Sequence, residues 1–313
     1  QNRLVQLAVL FLLADLYHIQ YPFWEAPTDL RRFAAKMYFN TLPRESKGLR
    51  TEKISCTLKR VQSPRPAAGH RLVQNSIFSE GAAPMNEPLT QLHAEAMTAE
   101  REWTVEEIPV LSASISLPEP VPAADKVSRR IRRYYQLQCR SFLRYCETYL
   151  LPAAAEEYRA ALAASLPLPH LRAELTYQVT YNDGGLWSLY TQSRESGFSG
   201  RPTLLRHGDT WDLTSGYPVP LSAFFPRRSG WKRRLMEAAE AEIQRQETAG
   251  ISRYHEGVRR LLRRHFNPQN FYLTAEGLSF FYPMYAIAPA MEGIPVFTLP
   301  YGQGGPALPA RDA

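Results

Sequence analysis

His207, Asp209 and Asp212 are the side chains of this chain whose types and closeness suit metal binding or proton exchange with a substrate. An imidazole and two carboxylates within one short stretch supply a nitrogen ligand, two oxygen ligands and a general base. The same residues also suit a turn. Glycine at 208 gives backbone freedom, and aspartate bonds its own backbone nearby. Thr203 to Arg206 and Thr210 to Leu213 read as strands flanking His207-Gly-Asp209, so a structural hairpin is the expectation. His255 and His265, on or beside a basic helix, are expected to be solvated. No residue is assigned a catalytic, cofactor-binding or metal-binding role, the ligand-binding residues stay unassigned, and no cofactor is expected.

The concentrated charge lies in Arg227-Arg228 with Lys232-Arg233-Arg234, and in Arg259-Arg260 with Arg263-Arg264. One reading is a solvated helix face balanced by Glu237, Glu240 and Glu242; the other is a contact for an anionic partner. Tyr272, Tyr282, Tyr285 and Tyr301 make the carboxyl end rich in aromatic rings. They suit either core packing, which is preferred, or a sugar- or protein-binding surface. The chain has no phosphate-binding Gly-x-x-x-x-Gly-Lys-Ser/Thr, dinucleotide fingerprint, His-Glu-x-x-His or Gly-x-Ser-x-Gly elbow. The reading is accordingly non-enzymatic.

Periodicity places these residues on elements. Glu87 to Glu106 is polar and reads as helical or loose. Val110 to Leu117 alternates as a half-buried strand, stopped by Pro118, Pro120 and Pro122. Asp125 reads as the N-cap of a long helix with Val127, Ile131, Tyr134, Phe142, Tyr145 and Tyr149 inward. Pro152 either kinks that helix or opens a second one over Ala153 to Ala164. Leu175, Tyr177, Val179 and Tyr181 share a strand face, and Asn182-Asp-Gly-Gly185 turns the chain into a partner strand. Trp231 to Gln246 and His255 to Phe266 read as helices. Phe271 to Thr274, Leu278 to Tyr282 and Val296 to Leu299 read as closing strands.

The run from Asn270 through Phe-Tyr-Leu-Thr-Ala-Glu-Gly-Leu, then Tyr285-Ala-Ile-Ala-Pro289 and a last strand ending in Pro300-Tyr301, resembles the bacterial family called domain of unknown function 3298. Gly208 to Phe225 resembles that family's strand, turn and Leu-x-x-Phe-Phe lead-in. The resemblance runs from about Val110 to Tyr301. It implies two small tandem α+β domains, each with helices packed on an antiparallel sheet. The first half is similar to the partner domain found in the outer region of the anti-sigma-V factor and in the non-catalytic part of PdaC-type peptidoglycan deacetylases. The implied function is a non-catalytic binding or sensing module, with a lysozyme-like protein or a peptidoglycan fragment as partner. Alternatives are a cytoplasmic accessory protein that retains the fold, and a cell-wall hydrolase or deacetylase with an unrecognised site. Ala286 stands where the family often has Glu.

The expected organisation is an upstream or amino-terminal extension over 1–84, a polar lead-in over 85–106, domains over 107–222 and 223–301, and a disordered tail over 302–313. The formal charge of +7 is concentrated in the extension, with 12 Lys+Arg against 6 Asp+Glu in residues 1–84 and 25 against 24 in the rest. The body therefore offers no broad nucleic-acid surface, and nucleic acid is not the expected partner. Translation is expected to start at Met85, giving a cytoplasmic protein; the alternative takes residues 4–14 as a signal or membrane segment, giving an exported or membrane-associated one. Cys139 and Cys146 are too far apart along one helix to bridge each other.

Overall fold

A computed structural model describes residues 56–59, 90–197, 202–302 and 305–308. The start at Met85 and the apolar run 4–14 lie outside the described residues. Within the expected extension, β1 (Cys56–Lys59) pairs antiparallel with β2 (Ala94–Val105). The polar Glu87 to Glu106 stretch thus holds a strand. Its period of two is carried by Met97, Ala99, Arg101, Trp103 and Val105 inward and Thr98, Glu100 and Glu102 outward. Alanine and arginine on the inner face hide that alternation from a hydrophobicity reading.

A turn at Glu106-Glu107, both at positive φ, leads to β3 (Ile108–Pro120). Proline does not stop β3 where the sequence suggests. Its parallel neighbour β4 (Leu171–Asp183) pairs only with Leu111 to Ile115, so Pro118 and Pro120 lie where one edge of β3 carries no ladder. Between these strands α1 (Lys126–Tyr145) and α2 (Leu151–Ala163) make the crossover that parallel pairing needs. Asp125 caps α1, accepting from the Ser128 amide at 2.8 Å. A π-helical turn, Cys146–Leu150, joins the helices and shifts the phase of the inward stripe. Cys146 and Leu150 are therefore buried, while Tyr149, expected inward, is 48% exposed. Pro152 sits in the first turn of α2 and opens it.

A bulge between Val179 and Tyr181 in β4 moves Tyr181 off the face shared by Leu175 and Tyr177 and against a different core. Gly184 and Gly185, at φ 54° and 69°, close the expected hairpin to β5 (Leu186–Ser196). Next come β6 (Thr203–Asp212) and the short β7 (Tyr217–Pro218). The seven strands lie in chain order, and only β3 and β4 are parallel among the described pairs, so this sheet is antiparallel-rich rather than wholly antiparallel.

The carboxyl-terminal part contributes α3 (Trp231–Thr248), with Leu235, Met236, Ala239 and Ile243 inward at helical spacing, and α4 (Val258–His265). Gly257, left-handed at φ 70°, delays the start of α4 to Val258. A second sheet has the order β10-β9-β8 from β8 (Phe271–Leu273), β9 (Gly277–Phe281) and β10 (Val296–Pro300). The fold is α+β. One core lies under α1, around Ile131, Trp187 and Trp211, and another under α2, around Leu111 and Tyr158. A third joins α3 and α4 to the small sheet through Phe280, Tyr282, Ile287 and Phe297. In the tail expected to be disordered, Pro306 is buried and the Ala307 amide donates to the Phe224 carbonyl at 2.8 Å.

Candidate functional site

His207, Gly208 and Asp209 do not form a turn. They are consecutive residues within β6, opposite Thr191, Tyr190 and Leu189 of β5. Strand alternation puts His207, Asp209 and Trp211 on the face covered by α1 and turns Gly208 to the other face. There β8 crosses the large sheet. A Cβ on residue 208 would lie 1.9 Å from the Phe271 carbonyl oxygen, so close backbone approach is what requires glycine. Beside it the Leu273 amide donates to Ser188 Oγ at 2.8 Å, and Ser188 Oγ lies 2.7 Å from Thr210 Oγ1. Asp212 leaves the constellation: its carboxylate accepts from the Thr214 amide and the Ser215 hydroxyl at the strand's end.

Helix α1 supplies what the sequence reading missed. Tyr134 and Tyr135 both reach Asp209, their hydroxyls 3.2 Å from Oδ1 and 3.1 Å from Oδ2. His207 Nε2 lies 3.1 Å from Asp209 Oδ1 and 3.4 Å from the Tyr134 hydroxyl. Trp211 Nε1 donates to Tyr135 at 3.0 Å, completing a chain from indole to phenol to carboxylate to imidazole. The rings pack edge to face: Tyr134 on Tyr135 at 5.0 Å and Tyr134 on Trp211 at 5.1 Å. Tyr134 and Tyr135 follow Ile131 by three and four positions, so spacing allows both on the inner side; the sequence reading took Tyr134 alone as inward.

Asp209 is buried and His207 is about a quarter exposed, with side-chain accessibilities of 3% and 27%. Burial works against a charged imidazole here, yet the negative Asp209 and its hydrogen bond outweigh it and hold His207 above the ordinary histidine value. Burial, reinforced by Asp209, pushes Tyr135 well above the usual tyrosine range. The pair can share a proton and keep α1 fastened to β6. A hydrolytic triad would need a nucleophile on His207, and no serine, threonine or cysteine bonds it among the described residues.

Further along the same interface Gln138 Nε2 donates to Thr191 Oγ1 at 3.0 Å, and the Tyr145 hydroxyl donates to the buried Glu195 at 2.8 Å. Burial raises the Glu195 carboxyl, and burial beside Glu195 pushes the Cys146 thiol up to about 12, which keeps it unreactive. A raised carboxyl gives stability that is full below its unfolded value and is lost as pH rises. Glu195→Gln keeps an acceptor for Tyr145 and removes the buried charge. Its melting temperature should exceed the wild type's at pH 7.5 by about 2 °C, for roughly 1 kcal/mol, and match it near pH 4. Thermal scans at both pH values check this.

His255 and His265 are partly buried rather than solvated, and burial next to Arg264 lowers His265. Tyr272 and Tyr282 are core residues, Tyr301 bonds the Thr274 carbonyl, and Tyr285 is exposed at 45%. Arg206 stacks over Tyr190 at 4.1 Å. Ala286 is half-buried against the carboxyl-terminal core, and its amide donates to the Pro283 carbonyl. No group of three metal-ligating side chains stands together among the described residues, and no helix there is long and apolar enough to cross a membrane.

No curated protein matches this chain. A member of the DUF3298 family from Bacteroides fragilis NCTC 9343 is similar in structure, with TM-score 0.51 and 16% identity over 69% of this chain and 92% of that one. A DUF3298 family protein from Pseudomonas aeruginosa PAO1 gives a TM-score of 0.42 and 17% identity over 67% of this chain and 91% of that one. The first likeness shows a shared fold. The family model described as "Protein of unknown function (DUF3298)" matches residues 222–302. The helix pair and the small sheet that β8 holds against Gly208 are thus a DUF3298 domain.

Proposed function

We propose that the chain is a non-catalytic binding or sensing module. The observation that carries this reading is where the His207–Asp209 pair is tied: both Asp209 oxygens and His207 Nε2 are engaged by Tyr134, Tyr135 and each other. A general base must point a free nitrogen or oxygen at a substrate; these atoms point at the helix that covers them. The resemblance to envelope proteins supplies the ligand class, a lysozyme-like protein or a peptidoglycan fragment.

Calorimetric titration of the protein with lysozyme, and separately with soluble peptidoglycan fragments, tests the reading. Saturable binding to one of them supports it, and heats indistinguishable from dilution for both overturn it. The variant Asp209→Asn, assayed well below its melting temperature, should bind as the wild type does, because the pair holds the fold and does not touch the ligand.

A further inference from the structure

The two arginine-rich segments, separate in sequence, meet at one end of the DUF3298 domain. Trp231, at the start of α3, stacks on Phe225 at 5.8 Å and packs against Phe266, just after α4, at 6.1 Å. Arg259, near the start of α4, reaches back to Glu240 in mid-α3 at 3.4 Å. The helices therefore run antiparallel, so the Arg227-Arg228 loop and the start of α3 with Lys232 lie at the same end of the domain as the last turn of α4 with Arg263 and Arg264. Every one of these five cations is exposed, and none makes an ion pair among the described residues. Three of the four acids of α3 are spent on other arginines, Glu237 on Arg233, Glu240 on Arg259 and Glu242 on Arg245, and the fourth, Glu247, stands in the last turn, at the far end of the helix from Lys232.

Helix electrostatics accounts for one half of this cluster only. Cations suit the end of α4, where the helix dipole is negative. Lys232, Arg233 and Arg234 occupy the first turn of α3, the positive end, which holds no acidic residue. Their placement opposes the local field; Glu237 answers Arg233, and Lys232, exposed and without an ion pair among the described residues, fits an external anion. No large apolar side chain is exposed between Tyr217 and Ile251, or from 258 to 266, so the patch lacks the apolar centre of a protein interface and the exposed rings that stack bases. What remains is charge alone, mostly in arginine forks that match phosphate oxygens.

We infer that this end of the domain, formed by Arg227, Arg228, Lys232, Arg263 and Arg264, docks a linear polyanion of closely spaced phosphates through its backbone. The inference is independent of the binding role proposed above. Long-chain inorganic polyphosphate is the probe, with poly-glutamate as comparison, titrated at several salt concentrations. The variant R227Q/R228Q/K232Q is set against R133Q/R140Q/R144Q, which removes the same charge from exposed positions on α1. Wild type should bind polyphosphate with affinity that falls as salt rises. The patch variant should lose about tenfold or more in low salt, with its log–log salt slope shallower by about 2, while the α1 variant stays within about twofold. All substituted side chains are exposed, so melting temperatures should match. Equal losses in the two variants, no binding by the wild type, or tighter binding of poly-glutamate than of polyphosphate would overturn the inference.

Discussion

Gly208→Ala should destabilise the protein by about 3 kcal/mol or more, the upper end of what overpacking costs. The added methyl would sit 1.9 Å from the Phe271 carbonyl oxygen and 2.7 Å from its carbon, and both are backbone atoms that cannot rotate away. Relief needs β8 to lift off β5 and β6. That strains the Leu273 amide bond to Ser188 Oγ and pulls on a core containing Phe271 and Leu273. At roughly 2–4 °C per kcal/mol for a chain of this size, a fall of about 8 °C in melting temperature is expected. Gly184→Ala is the informative comparison, because no atom lies within 4 Å of its would-be Cβ and only the turn's positive φ is strained. Calorimetry should rank Gly208→Ala clearly below Gly184→Ala. The reverse order would mean that β8 does not approach β6 as described.

Removing the Asp209 carboxylate has the second large effect. Asp209→Ala leaves the Tyr135 hydroxyl buried without its acceptor and takes the partner from Tyr134 and His207. One buried orphan costs about 1–3 kcal/mol, and a broken buried ion pair about 3–5 kcal/mol; since His207 is partly exposed, about 3 kcal/mol is expected. The His207 contribution carries a pH signature. Its folded value is raised above the unfolded one, so its stabilisation is complete below the unfolded value and is lost as pH rises through the raised folded value. His207→Gln, which keeps an N–H for Asp209 but no titrating charge, should cost more at pH 5.5 than at pH 8.5. Glu195 titrates in both proteins and cancels from the difference. Urea unfolding at the two pH values measures this, and an equal cost at both would show that the pair carries no charge interaction.

Much of this was legible where side-chain periodicity and the hydrophobic face coincide. The stripe of Leu235, Met236, Ala239 and Ile243 makes α3 unambiguous, and Asn182-Asp-Gly-Gly185 can hardly be anything but a hairpin turn. Reading failed where long-range contact sets the meaning of a residue. Gly208 looks like a turn glycine until β8 is seen against it, and His207 and Asp209 then change from turn residues to strand partners of α1, Asp209 buried and His207 partly so. The strand Ala94–Val105 was hidden because its inner face carries Ala99 and Arg101, the latter held by Glu147 at 2.7 Å. Tyr149 was misplaced because a π turn leaves no mark in residue type. No local rule announces that Tyr135, rather than Tyr134, is the fully buried member of the pair.

The most direct test of the non-catalytic reading is mass spectrometry of the soluble material released when the purified protein is incubated with insoluble peptidoglycan. The account predicts sugar fragments and acetate at the level of a protein-free control, for wild type and His207→Ala alike. Fragments or acetate that accumulate with the wild type and vanish with His207→Ala would make the His207–Asp209 pair an active site and contradict it.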